Sequence, residues 1–563
     1  MAEAFYTMKY LFFLFIALQW PLAQAQVAVE TLSPRLKYHV YYLADDSLQG
    51  RQTGSVGEQK AANYLIKNFT EMGLQPAGDK GNWRQAFTFT GRQEFGKNNS
   101  LQIDGKKQKW LTAWFTLPQS ATGSASGALV NVGYGISNKE LGHDDYAAQK
   151  DLSGKILLVQ LNSPDGNNPH GKFGADAQID RKLRLAAENG AIGVIFYPGS
   201  AEDALPVDQL DRRTQQLDLP AVCLRWDAWQ ALQSEDLKSA SFQTQIIRHQ
   251  ITGNNVVAYL DRGAPYTIVF GAHYDHLGLG EYGSSLHTGE PAIHNGADDN
   301  ASGTAGLIEL ARYFSKQPKS KYNYLFMAFS GEELGLLGSA YFAKNPTVDL
   351  SKVAAMLNMD MIGRLDPTSK QIGVNGVGTS PVWKLLADSL SFGLQPKTTE
   401  AGTGASDHTS FYLQDIPVLH YFTGTHSDYH KPSDDADKIN YEGMAEVVNY
   451  IIRMTNALET GEKLAFVKTS DADSRSAPRF KVTLGIMPDY FYEGRGIKVD
   501  GVTAGRTADK AGVLKGDLLL ELGDYELADM QAYMQALAAF NKGDSTKLKL
   551  IRGSETLELN LTF

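Results

Sequence analysis

Between about residues 253 and 458 the chain repeats one pattern: a short apolar run, then a histidine or a carboxylate, then a helix-forming stretch. The runs are Thr267–Phe270, Tyr324–Phe329, Val353–Leu357 and Pro417–Phe422. Strands alternating with helices such as Gly303 to Ser315 predict a doubly wound α/β sheet. In such open sheets ligands collect outside the carboxyl ends of the strands. Residues far apart in sequence therefore converge on one crevice, and the pattern nominates His273, Asp299, Glu333, Asp360 and His430. Two imidazoles and three carboxylates suit a pair of zinc-like ions with one carboxylate shared between them.

Each nominated residue sits in a motif with its own chemistry. In Gly271-Ala272-His273-Tyr274-Asp275-His276, Asp275 is placed to accept the proton on the second nitrogen of His273, which would fix its tautomer. In Gly296-Ala297-Asp298-Asp299-Asn300-Ala301-Ser302-Gly303, small residues allow close backbone approach and Asp299 is the candidate bridge. The adjacent pair after Phe329 divides its work: Glu333 as a ligand, Glu332 as the group that takes a proton from a metal-held water. Asp360 lies in the apolar setting of Met359, Met361 and Ile362, where a carboxylate is costly unless paired or metal-bound. Tyr429, beside His430, is placed to donate to a developing oxyanion. Eight of the 12 histidines, at 273, 276, 287, 294, 408, 420, 426 and 430, fall within this stretch. His276, His294, His408 and His426 are expected to play supporting or structural roles around the ligands. The segment Gly404 to Phe411 is expected to shape the pocket.

Composition narrows the class. A chain of 563 residues is too long for one hydrophobic core, so several domains are expected. A net charge of -10 argues against nucleic-acid binding, which usually needs a basic surface. The single cysteine, Cys223, excludes an intramolecular disulfide and a zinc site of several thiolates. Lys9, the apolar run Tyr10 to Leu18 and the small-residue site Ala23-Gln24-Ala25 have the layout of a secretory signal peptide over 1–25. The run is shorter than the ~20 residues a membrane span needs, so no span is expected after cleavage. The mature chain is expected to be exported, to the periplasm or beyond.

Texture changes mark the remaining organisation. Residues 121–247 read as an α/β insertion, with strands near Gly127 to Gly133, Lys155 to Val159 and Gly190 to Tyr197 and a helix over Arg181 to Asn189. A polar linker over 463–477 precedes a compact β-rich unit, 478–563, ending in an alternating strand from Glu555. The first segment of the doubly wound domain, 26–120, carries a helix from Ala61 to Met72 stopped by Gly73 and is completed by 248–462.

With all five motifs in this order, the chain resembles the co-catalytic zinc exopeptidases, the family of the bacterial leucyl aminopeptidases and glutamate carboxypeptidase. The insertion resembles a protease-associated domain and the tail a PDZ domain. The resemblance implies two Zn2+ ions, with Mn2+ or Co2+ as substitutes. It implies that Asp299 bridges them, that His273 and Asp360 complete one ion's protein ligands, and that Glu333 and His430 complete the other's. It further implies Glu332 as general base and a cis peptide at Asp299-Asn300. The expected activity is that of an aminopeptidase acting on peptides with a free N-terminus through a water bridged by the two ions. The alternatives are a carboxypeptidase of the same fold using Arg364 as a basic subsite, a glutaminyl cyclase with a single zinc, and a non-catalytic peptide-binding protein. In PDZ domains the loop matching Leu484-Gly485-Ile486 captures a C-terminal carboxylate, so a C-terminal peptide is an expected partner. Thr483 departs from the glycine often found there.

Overall fold

The computed structural model describes residues 27–149, 151–166, 171–206, 208–210, 214, 216–281, 284–317, 320–458, 460–469, 482–489, 492, 494–502, 505–528 and 530–563. The expected signal peptide and linker residues 470–477 lie outside these. Among the described residues no helix is long and apolar enough to cross a membrane. The chain divides into two compact units, Met1–Phe87 with Thr252–Phe563, and Thr88–Ile251.

The first unit is built on a nine-stranded mixed sheet. Its strands are β1 (Gln75–Pro76), β2 (Arg84–Phe95), β3 (Ile246–Leu260), β4 (Thr267–His273), β5 (Asn323–Phe329), β6 (Val353–Met359), β7 (Gln371–Asn375), β8 (Gln395–Thr399) and β9 (Val418–Phe422). They lie side by side in the order β1-β3-β5-β4-β6-β9-β7-β8, with β2 beside β3. The central strands β5, β4, β6 and β9 are mutually parallel, so their carboxyl ends share one edge. β3 pairs with β5 antiparallel, as does β7 with β9, which makes the sheet mixed.

The apolar runs are continuous because both faces of the sheet are covered. Ile268 and Phe270 of β4 face one core, and Val269 between them faces the other. The first core is closed by α1 (Val29–Leu43), α2 (Val56–Glu71), α3 (Gly303–Ser315) and α6 (Tyr441–Ala457); the second by α4 (Leu337–Lys344) and α5 (His408–Tyr412). α2 begins five residues before the expected Ala61. Ser55 caps it by accepting from the Glu58 N–H at 3.1 Å, a capping role that apolar spacing alone does not reveal.

One buried carboxylate ties three of these helices together. Glu309 of α3 accepts from Arg35 of α1 at 2.8 Å and from Arg312 at 3.0 Å, and lies 3.3 Å from His39. His39 in turn meets the Tyr64 hydroxyl of α2 at 2.6 Å.

The unit Thr88–Ile251 carries an eight-stranded sheet with its own cores on both faces. Its strand Ile156–Gln160 sends Leu157 and Val159 to one core and Ile156 and Leu158 to the other. Cys223 is buried and free. The helix Ile179–Glu188 carries buried Lys182, whose ammonium donates to the carbonyls of Gln160, Leu161 and Asn162 at 2.8, 2.9 and 2.7 Å. The C-terminal residues form a β-rich unit that includes Ile497–Val502, Leu518–Leu522, Ser545–Arg552 and Glu555–Thr562, packed around Leu484, Val499, Leu519 and Leu548.

Burial alone would raise the Glu309 pKa, but hydrogen bonds from His39 and Arg35 outweigh it and lower it below the ordinary 4.5. A depressed carboxylate pKa stabilises the fold above the unfolded value, and this contribution fades as pH falls through the folded one. Glu309→Gln should therefore lower stability at pH 7 by about 2 kcal/mol. The difference from the parent should shrink below the ordinary pKa of 4.5, as read from urea midpoints between neutral and acid pH.

Candidate metal centre

The parallel strand order brings the nominated residues to one edge. His273 is the last residue of β4, Asp360 the first after β6, and Glu332 and Glu333 lie just beyond β5. Asp299 stands in a tight turn, 297–302, that runs into α3, and its peptide bond to Asn300 is cis. His430 lies on the loop after β9. Gly296 enters the turn with φ +55°, and a Cβ there would lie 2.1 Å from the Asp299 carbonyl and 2.4 Å from the His276 ring. Glycine is thus required for the chain to bring Asp299 inward.

The donor atoms fall into two groups that share Asp299. His273 Nε2 lies 3.3 Å from Asp299 Oδ1 and 3.3 Å from Asp360 Oδ1. His430 Nε2 lies 3.2 Å from Asp299 Oδ2 and 3.2 Å from Glu333 Oε2. Zinc bonds of roughly 2.0–2.2 Å in a tetrahedron place neighbouring ligand atoms about 3.3 Å apart. The spacings fit that geometry, with one oxygen of Asp299 in each group.

The imidazoles are oriented for the same purpose. His430 Nδ1 donates to the Ser284 carbonyl at 2.9 Å, and His273 Nδ1 faces the Asp275 carbonyl at 3.2 Å. Both rings therefore turn Nε2 toward carboxylate oxygens, a pairing that needs a proton or a metal cation between nitrogen and oxygen.

The titration behaviour states the same preference. Burial opposes charge on the imidazoles, yet Asp360 and Glu332 hold His273 well above the ordinary range, and Glu333 and Asp299 do so for His430. Burial likewise opposes ionisation of Asp299, but His276, His273 and His430 hold it well below the usual carboxylate range. Against burial and the repulsion of Asp299, His430 and His276 bring Glu333 down to about 2. Glu332 goes the other way. Burial, with repulsion from Asp360 and Glu333, raises it well above the ordinary value despite His273. Adjacent carboxylates driven apart in this way divide into a permanent anion and a proton carrier.

Around these groups lies a layer of braces. Ser406 Oγ donates to Asp360 Oδ2 at 2.7 Å, leaving Oδ1 for the inner site, and Asn358 Nδ2 donates to Ser406 Oγ at 2.8 Å. Asp434 Oδ2 accepts the backbone N–H groups of Asp298 and Asp299 at 2.9 and 3.1 Å. His276 Nδ1 lies 2.6 Å from Glu333 Oε1 and so orients a ligand. His426 meets Asp298 at 3.2 Å, and His294 meets Ser285 at 2.7 Å. His408 touches none of the ligand-bearing residues by hydrogen bond; it stacks on His420. Tyr429 stacks on His430 with ring centroids 3.9 Å apart and lines the cavity above the site.

Asp275 differs from the expectation drawn from its spacing. Its carboxylate is 3.7 Å from His273 Nδ1, farther than its own backbone carbonyl. The carboxylate instead accepts from Thr53 Oγ1 at 2.9 Å and from the Glu332 N–H at 3.3 Å. Its geometry therefore positions Glu332, the residue whose proton matters.

Two supporting residues escaped sequence reasoning. Arg51, buried with φ +49°, donates to the carbonyls of Tyr274, Asn295 and Gly296 at 2.8, 2.6 and 3.0 Å, and to that of Leu43. It clamps the chain on either side of the loop that delivers Asp299. Glu58 accepts from the N–H groups of Gly54 and Asn254 and from Ser330 Oγ, at 2.8, 3.0 and 2.6 Å. The only sign in the sequence is the Gly50-Arg51 step within Ser47 to Ser55, where a charged residue lies among turn formers.

The fold and the donor set define a metal-dependent hydrolase. Residues 255–455 match the model of peptidase family M28, residues 125–232 that of the PA domain and residues 466–563 that of the PDZ domain. The chain is 30% identical over 244 residues to the uncharacterized protein YfbL of Escherichia coli (strain K12), spanning 36% of this chain and 72% of that protein. It is 25% identical over 345 residues to aminopeptidase YwaD of Bacillus subtilis (strain 168), spanning 59% and 68%. The solved aminopeptidase from Aneurinibacillus sp. strain AM-1 aligns over 79% of this chain and 99% of its own, at 23% identity and a TM-score of 0.44. The protein belongs to peptidase family M28, with a PA domain insertion and a C-terminal PDZ domain.

The brace on Asp360 gives a direct test. Removing an outer partner of a ligand typically weakens metal binding about 10–100-fold. Ser406→Ala should weaken one of the bound cations to that degree and leave folding intact, as measured by competition with a chelator of known affinity.

Proposed function

We propose that the protein is an exported aminopeptidase that works with two zinc ions. The observation that carries this reading is the pair of donor groups sharing Asp299, with Glu332 beside them and its proton affinity raised. His273 and Asp360 would hold one ion, Glu333 and His430 the other, and Asp299 both. When bound, the ions make a water more acidic and polarise the scissile carbonyl. Oxygen and imidazole donors also accept Mn2+ or Co2+.

The chain's own residues supply the rest. Glu332, held by its backbone N–H to Asp275, takes the proton of the attacking water and returns it to the leaving amine. Tyr429, in the cavity wall, donates to the oxyanion of the tetrahedral intermediate. The aminopeptidase reading is favoured over a carboxypeptidase by the state of Arg364. Its guanidinium lies 2.8 Å from Asp428 and 3.6 Å from Asp434, so its charge is already matched and offers no subsite for a terminal carboxylate. The relative YwaD is named an aminopeptidase. All five donors are present, which disfavours a single-zinc cyclase and a binding protein on an inactive fold.

Export rests on the sequence pattern of residues 1–25. The PDZ domain is read as a site for peptide C-termini at Leu484-Gly485-Ile486. There the Gly485 N–H donates to Thr483 Oγ1 at 3.1 Å, so a carboxylate would have to displace that hydroxyl.

Two measurements test the catalytic reading. Glu332→Gln should lower kcat by about 10^2–10^4-fold while retaining its metal by elemental analysis, because only proton transfer is removed. The parent enzyme should cleave aminoacyl amides with a free α-amino group, spare the N-blocked forms and lose activity in chelator. Turnover of blocked peptides with free carboxyl ends would instead identify a carboxypeptidase.

A further inference from the structure

The cavity of about 630 Å³ that has Glu332 and Asp360 in its wall is also lined by Tyr492, a residue of the PDZ domain. Both belong to one compact unit of the chain. A turn places Tyr492: its N–H donates to the Asp489 carbonyl at 3.2 Å, and the Asp489 N–H donates to the Lys498 carbonyl at 2.8 Å. The Lys498 ammonium lies 3.2 Å from the Asp489 carboxylate and 5.6 Å from the centre of the Tyr492 ring. Just before this turn the Pro488 carbonyl accepts from Thr425 Oγ1 at 3.5 Å, and Thr425 lines the same cavity. The PDZ domain thus forms part of the wall of the cavity at the metal centre.

The strand that ends at this junction starts at the loop read above as a site for peptide C-termini. Ile486–Pro488 pairs antiparallel with Ile497–Val502 and is the outermost strand of its sheet, so among the described residues its other edge carries no strand. Gly485, at the head of the strand, has φ +76°, and a Cβ there would lie 2.4 Å from the Arg506 Cβ. The stem of Arg506 therefore runs directly past the loop. Its guanidinium has no ion pair or side-chain hydrogen bond among the described residues. An unmatched cation beside backbone N–H groups favours an anionic end group.

Direction follows from these positions. A peptide with its carboxylate at the head of the strand, paired to the open edge, runs antiparallel to it. Its upstream residues are led toward Pro488. Pro488 has no N–H with which to continue the pairing, so the added strand is released where Thr425 and Tyr492 enter the cavity wall. At about 3.3 Å per residue, about three residues pass along the strand and about three more cross a cavity roughly 10 Å wide.

We propose that a single peptide occupies both places, its C-terminal carboxylate at Leu484-Gly485-Ile486 beside Arg506 and its N-terminal residue in the cavity at the metal centre. The preferred substrates are therefore short peptides with both ends free. The inference rests on the aminopeptidase reading above and adds the length and the C-terminal chemistry of the substrate to it. Capture of one end makes engagement of the other intramolecular, which raises affinity only when the peptide is long enough to span the two sites.

The test uses the full, metal-loaded enzyme and peptides of graded length, from dipeptides to about ten residues. All begin with the residue whose coumarylamide is cleaved fastest and end in valine, alanine or phenylalanine, each made as the free acid and as the carboxamide. For at least one of these endings, the acid should exceed its carboxamide in kcat/KM by about tenfold or more once the peptide can span both sites, at roughly six residues. For dipeptides and tripeptides the two forms should be cleaved alike. Equal rates for acid and carboxamide at every length and ending overturn the proposal and leave the aminopeptidase reading in place. A preference for the acid that is already complete in dipeptides also overturns it, since no such peptide reaches the PDZ loop. Release of the C-terminal residue in place of the N-terminal one, identified by mass spectrometry, would overturn the aminopeptidase reading itself. Arg506→Ala should bring the acid-to-carboxamide ratio of the long peptides close to one, and a ratio equal to the parent's would exclude this loop as the place of capture.

Discussion

The structure depends on a concentration of negative charge that the protein does not neutralise by itself. Asp299, Glu333, Asp360 and Glu332 lie within a few ångströms of the two imidazoles, which turn Nε2 inward toward them. The raised histidine pKa values and the lowered values of Asp299 and Glu333 are two expressions of one field that attracts cations. A fold holding such a cluster must resist its tendency to spread. Here the resistance comes from the rigid parallel strands β5, β4, β6 and β9 below and from backbone hydrogen bonds above.

The braces share a logic. Each inner carboxylate has one oxygen directed to the site and the other, or the adjacent backbone, held from outside. Ser406 does this for Asp360, His276 for Glu333 and Asp434 for the chain at Asp299. Such fixing removes the freedom of each carboxylate to rotate toward a second partner, so the donor spacings are set before any ligand arrives.

The strands and the candidate donors were legible in the sequence for a definite reason. Strands covered on both faces leave unbroken apolar runs, and a charged residue at the end of such a run stands out. The runs at 267, 324, 353 and 417 and the helix Gly303–Ser315 appear in the structure with bounds shifted by a few residues at most. The braces were not legible. Arg51, Glu58 and Thr53 act across separations of 196 to 277 residues, through a backbone carbonyl, a backbone amide and a side-chain hydroxyl that leave no local pattern. Asp275 was visible, but its partner was not. Spacing placed it next to His273, and only the tertiary arrangement shows its carboxylate turned toward Thr53 and the Glu332 backbone.

Arg51 also bears on what counts as the catalytic module. The contiguous stretch that defines the family, 255–455, holds every nominated donor yet lacks the guanidinium that grips Tyr274, Asn295 and Gly296. That grip is supplied from before the insertion, together with Thr53 and Glu58. Excised or transplanted alone, the stretch would carry its ligands on an untethered loop. Any chimera or shuffled homologue must therefore inherit both flanks of the PA domain from the same parent for the centre to keep its shape.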